Sequence, residues 1–122
     1  MATWSVLRGR FNHRLVDKTE EVSLLFSAIN TALNLTLEGN CLIHTIKINI
    51  PNWTNNVTMK LTIEDEDGDV IYESETLNRN TNYVLTNLKD FIAVSGDVTF
   101  KYTLSGVPGG EGGTVKTSIY CI

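Results

Sequence analysis

The chain has 122 residues, 42% of them apolar and 20% charged, with a formal net charge of −4 and a pI near 5.0. A chain of this size can bury a core of its own, so one domain over residues 1–122 is expected, with no metal or disulfide needed for folding. The acidic balance argues against nucleic acid as a partner, since phosphate binding rests on Lys and Arg; no apolar run approaches the roughly 20 residues of a membrane-spanning helix.

Thr3–Phe11 is rich in β-prone residues and reads as a first strand, followed by a polar connection over Asn12–Lys18. Basic residues gather here, at Arg8, Arg10, Arg14 and Lys18, and read as a solvated face. Met1–Leu7 is too short and too polar for the apolar core of a secretory leader. Thr19–Leu33 fits two patterns. Val22, Leu25, Phe26, Ile29 and Leu33 fall at helical spacing behind a capping Asp17, while Val22, Leu24, Phe26 and Ala28 share one face of a strand over Val22–Ala28. The β character of the remaining chain favours the strand.

Asn34–Leu37 reads as a short extended piece closed by a turn at Glu38-Gly39-Asn40. In the next strand, Cys41–Ile50, Leu42, His44, Ile46, Ile48 and Ile50 share the apolar face, and Pro51 ends it. Asn52–Asn56 is a loop. Val57–Leu77 reads as a hairpin: Val57, Met59, Leu61 and Ile63 alternate with polar residues, and Asp67-Gly68 supplies the turn. A two-residue loop would set Ile63 opposite Tyr72 and leave Glu73 and Glu75 in solvent; this register is preferred over one pairing Ile63 with Ile71.

Asn78–Thr81 is a polar turn, Tyr83–Thr86 a short strand, and Asn87–Ser95 irregular with a helical turn near Leu88–Phe91. Asp97–Ser105 alternates cleanly, with Val98, Phe100, Tyr102 and Leu104 inward. Gly106–Gly113 is a glycine-rich loop expected to be mobile, and Thr114–Ile122 is a last strand with Val115, Ile119 and Cys121 inward. Short strands separated by turn signals point to an all-β domain, a single antiparallel β-sandwich with a jelly-roll-like arrangement.

No catalytic constellation emerges. The acids sit in turns, the serines lack a nucleophile-elbow pattern, and only His13 and His44 are available as imidazole bases. Asp65, Asp67 and Asp69 beside Gly68 echo half of a calcium loop, but position 76, where the closing Glu belongs, is Thr76. No metal and no other cofactor is expected. Gly106–Gly113 lacks the Gly-Lys-Ser/Thr ending of a phosphate loop. The parities of Cys41 and Cys121 disagree on their strands, which favours free thiols and a reducing compartment over a disulfide. Trp53, in a polar loop, is either an exposed partner anchor or a lid on the sandwich end. With Tyr120 and Lys116 on the outer face of the last strand, and Val107 and Pro108 in the glycine loop, it completes the set of interface candidates.

Two stretches carry a family resemblance: Ile46–Ser74, with its acidic Asp-Gly hairpin, and Val98–Tyr120, with Leu-Ser-Gly-Val-Pro-Gly-Gly leading into the final strand. They resemble small virion structural proteins of tailed bacteriophages, over about the C-terminal two-thirds of the chain. The resemblance implies a non-enzymatic capsid decoration protein. Such a protein is made in the host bacterial cytoplasm and carried on the virion. It binds the major capsid protein or another virion protein, self-associates, and involves no nucleic acid or membrane. A tail or head–tail accessory subunit is the alternative within this group, and a carbohydrate-binding sandwich with an aromatic platform the alternative outside it.

Overall fold

In the computed structural model, residues 17–85 and 92–121 are described, and among them there are seven strands and no helix. The strands are β1 (Asp17–Phe26), β2 (Ala32–Ile50), β3 (Met59–Glu64), β4 (Val70–Glu73), β5 (Thr81–Leu85), β6 (Ile92–Leu104) and β7 (Gly113–Cys121). All pairings are antiparallel. The strand expected at Thr3–Phe11 and the helical turn near Leu88–Phe91 lie outside the described residues.

Hydrogen bonding orders the strands β1-β7-β2-β6-β3-β4, with β5 also on β2. The 19-residue β2 folds this sheet over on itself. Its first part, Ala32–Ile43, pairs with β6, whereas Ile43–Asn49 pairs with β7 and Ile46–Ile50 with β5. One layer is therefore β1-β7-β2-β5 and the other β2-β6-β3-β4, with β2 running through both. Phe26, Ile48 and Val115 from the first layer and Leu61, Phe100 and Tyr102 from the second are at most 1% exposed and belong to one core. Period-two alternation produces this directly, because each strand commits one face to the other layer. The Tyr102 and Thr117 hydroxyls meet at 2.8 Å inside the core and tie the layers together. Burial pushes the Tyr102 phenol up to about 12, against the smaller opposing effect of that hydrogen bond.

Several sequence expectations hold. Val98, Phe100, Tyr102 and Leu104 all point inward on β6. Ile63 stands opposite Tyr72, and Glu73 and Glu75 are exposed. The connection is longer than two residues, however: Glu64 faces Val70 across a bulge, and the Asp65 N–H donates to Asp69 O at 2.9 Å to close the turn. Thr19–Leu33 is not a helix. β1 covers its first half with Phe26 buried, a turn follows in which Asn30 N–H donates to Ser27 O, and Leu33 already belongs to β2.

Four expectations are overturned. Ile92–Ser95, expected to be irregular, opens β6 and pairs with Asn40–Ile43 of β2. Glu38-Gly39-Asn40 is not a turn but mid-strand, facing Asp97, Gly96 and Ser95 across the ladder. Gly39 opposite Gly96 leaves that crossing free of side chains, which suits a close approach in a strand interior. Gly96 has φ +88°, and the Glu66 carboxylate occupies the space its Cβ would need.

The cysteines are not free thiols either. Cys41 and Cys121 form a disulfide, with a Cα–Cα distance of 5.8 Å in the ordinary range. Against β7, Ile43 faces Cys121 and Thr45 faces Tyr120, so His44 is an extra residue in β2. Such a bulge shifts the alternation by one. Ile43 is thus buried and Leu42 is 40% exposed, while Ile46, Ile48 and Ile50 are buried beyond the bulge. The same shift places Cys41 on the face of Cys121.

Lastly, Gly106–Gly113 is tied down rather than loose. Asn55 N–H donates to Pro108 O, Asn55 Nδ2 to Val107 O, and Gly109 N–H to Ala28 O, at 2.9–3.0 Å. Gly112, at φ +72°, leaves no room for a Cβ, which would run into Phe26 O.

Candidate interface surfaces

The residues singled out as interface candidates divide among three environments. Trp53 is 1% exposed and packs edge-on against Phe26, with ring centroids 5.6 Å apart and planes at 70°. It is the lid on the sandwich end, not an exposed anchor. Gly113 lies beside Pro51 and the indole, where a side chain would run into the Pro51 ring and crowd Trp53, and Arg79 Nη1 donates to Trp53 O at 2.7 Å. The indole Nε1 is buried with no hydrogen-bond partner among the described residues. Pro108 is likewise buried, because its carbonyl is held by Asn55, and it offers no surface.

Val107 is the exposed member of the glycine loop, at 43%. The bond from Gly109 to Ala28 holds this loop against the β1–β2 turn, where Ile29 is 78% and Leu25 68% exposed. Three large apolar side chains thus stand in solvent at one end of the sandwich. Leu25 and Ile29 are legible as apolar, but only the helical pattern includes Ile29, since the strand alternative ends at Ala28; the turn at Ser27–Asn30 turns it outward.

Lys116 and Tyr120 lie on the outer face of β7, as the alternation predicts. Lys47 Nζ sits 5.2 Å above the Tyr120 ring, a cation–π geometry that partly covers it. Glu21 Oε2 accepts from Ser118 Oγ at 3.5 Å. Lys47, Lys116, Glu21 and Ser118, with Asn49 and Asn82, border a shallow groove of about 310 Å³ across β1, β7, β2 and β5. Its polar groups converge on no deep pocket. Sequence reasoning missed Lys47 and Asn82, because their neighbourhood depends on β2 pairing with both β7 and β5.

At the hairpin tip, carboxylate oxygens of Asp65, Asp67 and Asp69 lie within 4.8 Å of one another. Asp65 Oδ1 accepts from the Asp67 and Asp69 N–H groups, both at 2.9 Å, so this carboxylate caps its own turn. That local bonding accounts for the cluster without an ion. His44 Nδ1 lies 2.6 Å from Thr45 Oγ1 at the bulge, a contact between sequence neighbours. Ser74, 4% exposed, accepts from Leu61 N–H at 2.9 Å and donates to Glu75 O at 2.8 Å, which pins the hairpin edge.

No protein-family model matches the sequence, and neither does any curated protein. Among solved structures, the chain is similar to one described as "Structure of infectious bursal disease virus Gx strain", at 9% identity and a TM-score of 0.32. The similarity covers 84% of this chain, which spans about a third (32%) of the other chain's length. At that score it carries no argument about function.

Proposed function

We propose that this chain is a non-enzymatic virion structural subunit, a decoration protein that binds the outer capsid and stabilises the head. The observation that carries the reading is the exposed apolar end made by Leu25, Ile29 and Val107, which holds the two most exposed large apolar side chains among the described residues. Exposed apolar groups on a rigid support are what a protein–protein contact uses. The resemblance of Ile46–Ser74 and Val98–Tyr120 to phage virion proteins supplies the class of partner: the major capsid protein or another virion protein, with self-association on the lattice. A disulfide-closed sandwich also suits a particle surface, where cystines persist. A tail or head–tail accessory role uses the same contact chemistry. A carbohydrate-binding role is disfavoured, because Trp53 is in the core and Lys47 covers Tyr120, so the aromatic platform it needs is not formed.

Purified particles tested for this chain by mass spectrometry decide the matter. The expected result is a stoichiometric component released from intact heads by mild denaturant. Absence from particles overturns the virion role, and recovery with isolated tails moves the chain to the alternative. In a reconstitution on stripped heads, Leu25→Asp with Ile29→Asp should abolish rebinding while the melting temperature holds, since both side chains are in solvent.

A further inference from the structure

The charged side chains divide by whether the chain itself matches them. Of the basic side chains that the structure describes, Lys60 pairs with Glu73 at 3.8 Å, Lys101 pairs with Glu64 at 3.0 Å, and Arg79 donates to the Trp53 and Thr54 carbonyls. The other two, Lys47 and Lys116, have no carboxylate at ion-pair distance among the described residues, and both line the shallow groove of about 310 Å³ on the outer face of β1, β7, β2 and β5. They are diagonal neighbours there, because Lys47 stands opposite Ser118 and Lys116 opposite Asn49. Like charges placed near each other on one sheet face are unfavourable on their own. Val84, 54% exposed, borders the same groove, and Glu21 on its rim accepts from Ser118 Oγ.

The tip of the β3–β4 hairpin has the complementary character. Asp67 and Asp69 are exposed on either side of Gly68, and their carboxylate oxygens lie within 4.8 Å of each other. Neither has a basic partner among the described residues, whereas Asp65 is occupied in capping the turn. Val70, 57% exposed, follows directly. The tip therefore presents two carboxylates and a valine, and the groove two ammonium groups and a valine. Within one chain the two are held apart: the hairpin belongs to one layer, and the groove lies on the outer face of the other.

We propose that the groove is filled by a second copy of this chain. Asp67 and Asp69 of one protomer dock on Lys47 and Lys116 of the next, with Val70 against Val84. Opposite charges then meet across the contact, and both like-charge pairs are relieved at once. The contact joins different patches of the two copies, so it is head-to-tail and leaves a free tip and a free groove at the ends of an open assembly. It rests on the proposed role only in giving its self-association a surface. The capsid contact at Leu25, Ile29 and Val107 is separate, so rebinding to stripped heads and association of the free chain fail independently.

Sedimentation of the full chain in the presence of a chelator tests this. In about 0.01 M salt the dissociation constant should be about 0.1 mM. Raising salt to about 1 M shortens the screening length from about 30 Å to about 3 Å and should weaken association about tenfold. Lys47→Gln with Lys116→Gln, and separately Asp67→Ser with Asp69→Ser, should each be monomeric and keep the parent melting temperature, since all of these side chains are exposed. Mixed together, the two variants retain one intact groove and one intact tip, and should form a one-to-one dimer and nothing larger. A parent chain that is monomeric at about 1 mM overturns the proposal, as does association that salt does not weaken. A variant that associates like the parent also overturns it, by moving the contact to another surface such as the apolar end. A mixture that stays monomeric overturns the head-to-tail geometry. Should one variant fail to fold, the other variant and the salt response of the parent chain still decide.

Discussion

Replacing Cys41 and Cys121 by Ala and Ser respectively removes a cross-link between residues 80 positions apart in sequence. A closure of that length restricts the unfolded chain strongly; on a chain-entropy account it is worth about 4.5 kcal/mol at room temperature. The native state loses little in exchange, since the two strands remain paired through Ile43 opposite Cys121. For a domain of 122 residues, 4.5 kcal/mol corresponds to a fall in melting temperature of roughly 15 °C. Differential scanning calorimetry with and without reductant measures it, and alkylation followed by mass spectrometry counts free thiols in the same sample. The expected result is no alkylation of the untreated native protein, two sites after unfolding with reductant, and a large drop in melting temperature for the double variant. Two alkylatable thiols in the untreated protein, or an unchanged melting temperature on reduction, would refute the parity argument built on the His44 bulge.

Gly112→Ala should cost about 2–4 kcal/mol, because φ +72° is strained for an L side chain and the new methyl meets Phe26 O; urea denaturation reads the loss. Shortening Gly106–Gly113 to a two-residue turn should likewise destabilise, since it removes the bonds to Asn55 and Ala28. Stability should fall as pH rises between about 10 and about 12, because the Tyr102 phenol ionises less readily folded than unfolded: its contribution is complete below the unfolded pKa and lost through the folded one. Tyr102→Phe should flatten that decline and cost about 1 kcal/mol by orphaning the buried Thr117 hydroxyl, both read from denaturation midpoints against pH. Calcium should leave the melting temperature of a chelator-treated sample unchanged; a rise of several degrees would establish Asp65, Asp67 and Asp69 as ligands.

Much of the fold is legible where one face of a strand is apolar and the other polar. β3, β6 and β7 meet that condition, so their inward residues and the pairing of Ile63 with Tyr72 follow from the sequence. The condition fails at Leu42 and Ile43, both apolar, so the phase of Cys41–Ile50 is undetermined across that point and a bulge at His44 leaves no mark. From that one unseen residue follow both the wrong face for Leu42 and the wrong state for the cysteines. Glu38-Gly39-Asn40 fails for a different reason. Its local preference is for a turn, and it is overridden by a partner, Gly96, that lies 57 positions away.

The surfaces were harder to read than the fold, for a related reason. Exposure of a loop residue depends on what the loop lies against, and the contacts that cover Trp53 and Pro108 are long-range. Trp53 is covered because Phe26 and Gly113 bracket it, from opposite ends of the chain. Pro108 is covered because Asn55 holds its carbonyl. Conversely, Ile29 is exposed because two side-chain and backbone bonds between Ser27 and Asn30 turn the chain before it can reach the core. Strand residues such as Lys116 escape this dependence, because their direction is set by alternation alone. An interface built on Leu25, Ile29 and Val107 therefore combines one side chain set by strand parity with two set by loop packing. Its geometry consequently depends on the contacts of Gly109 and Gly112, and lesions at those glycines should weaken partner binding as well as stability.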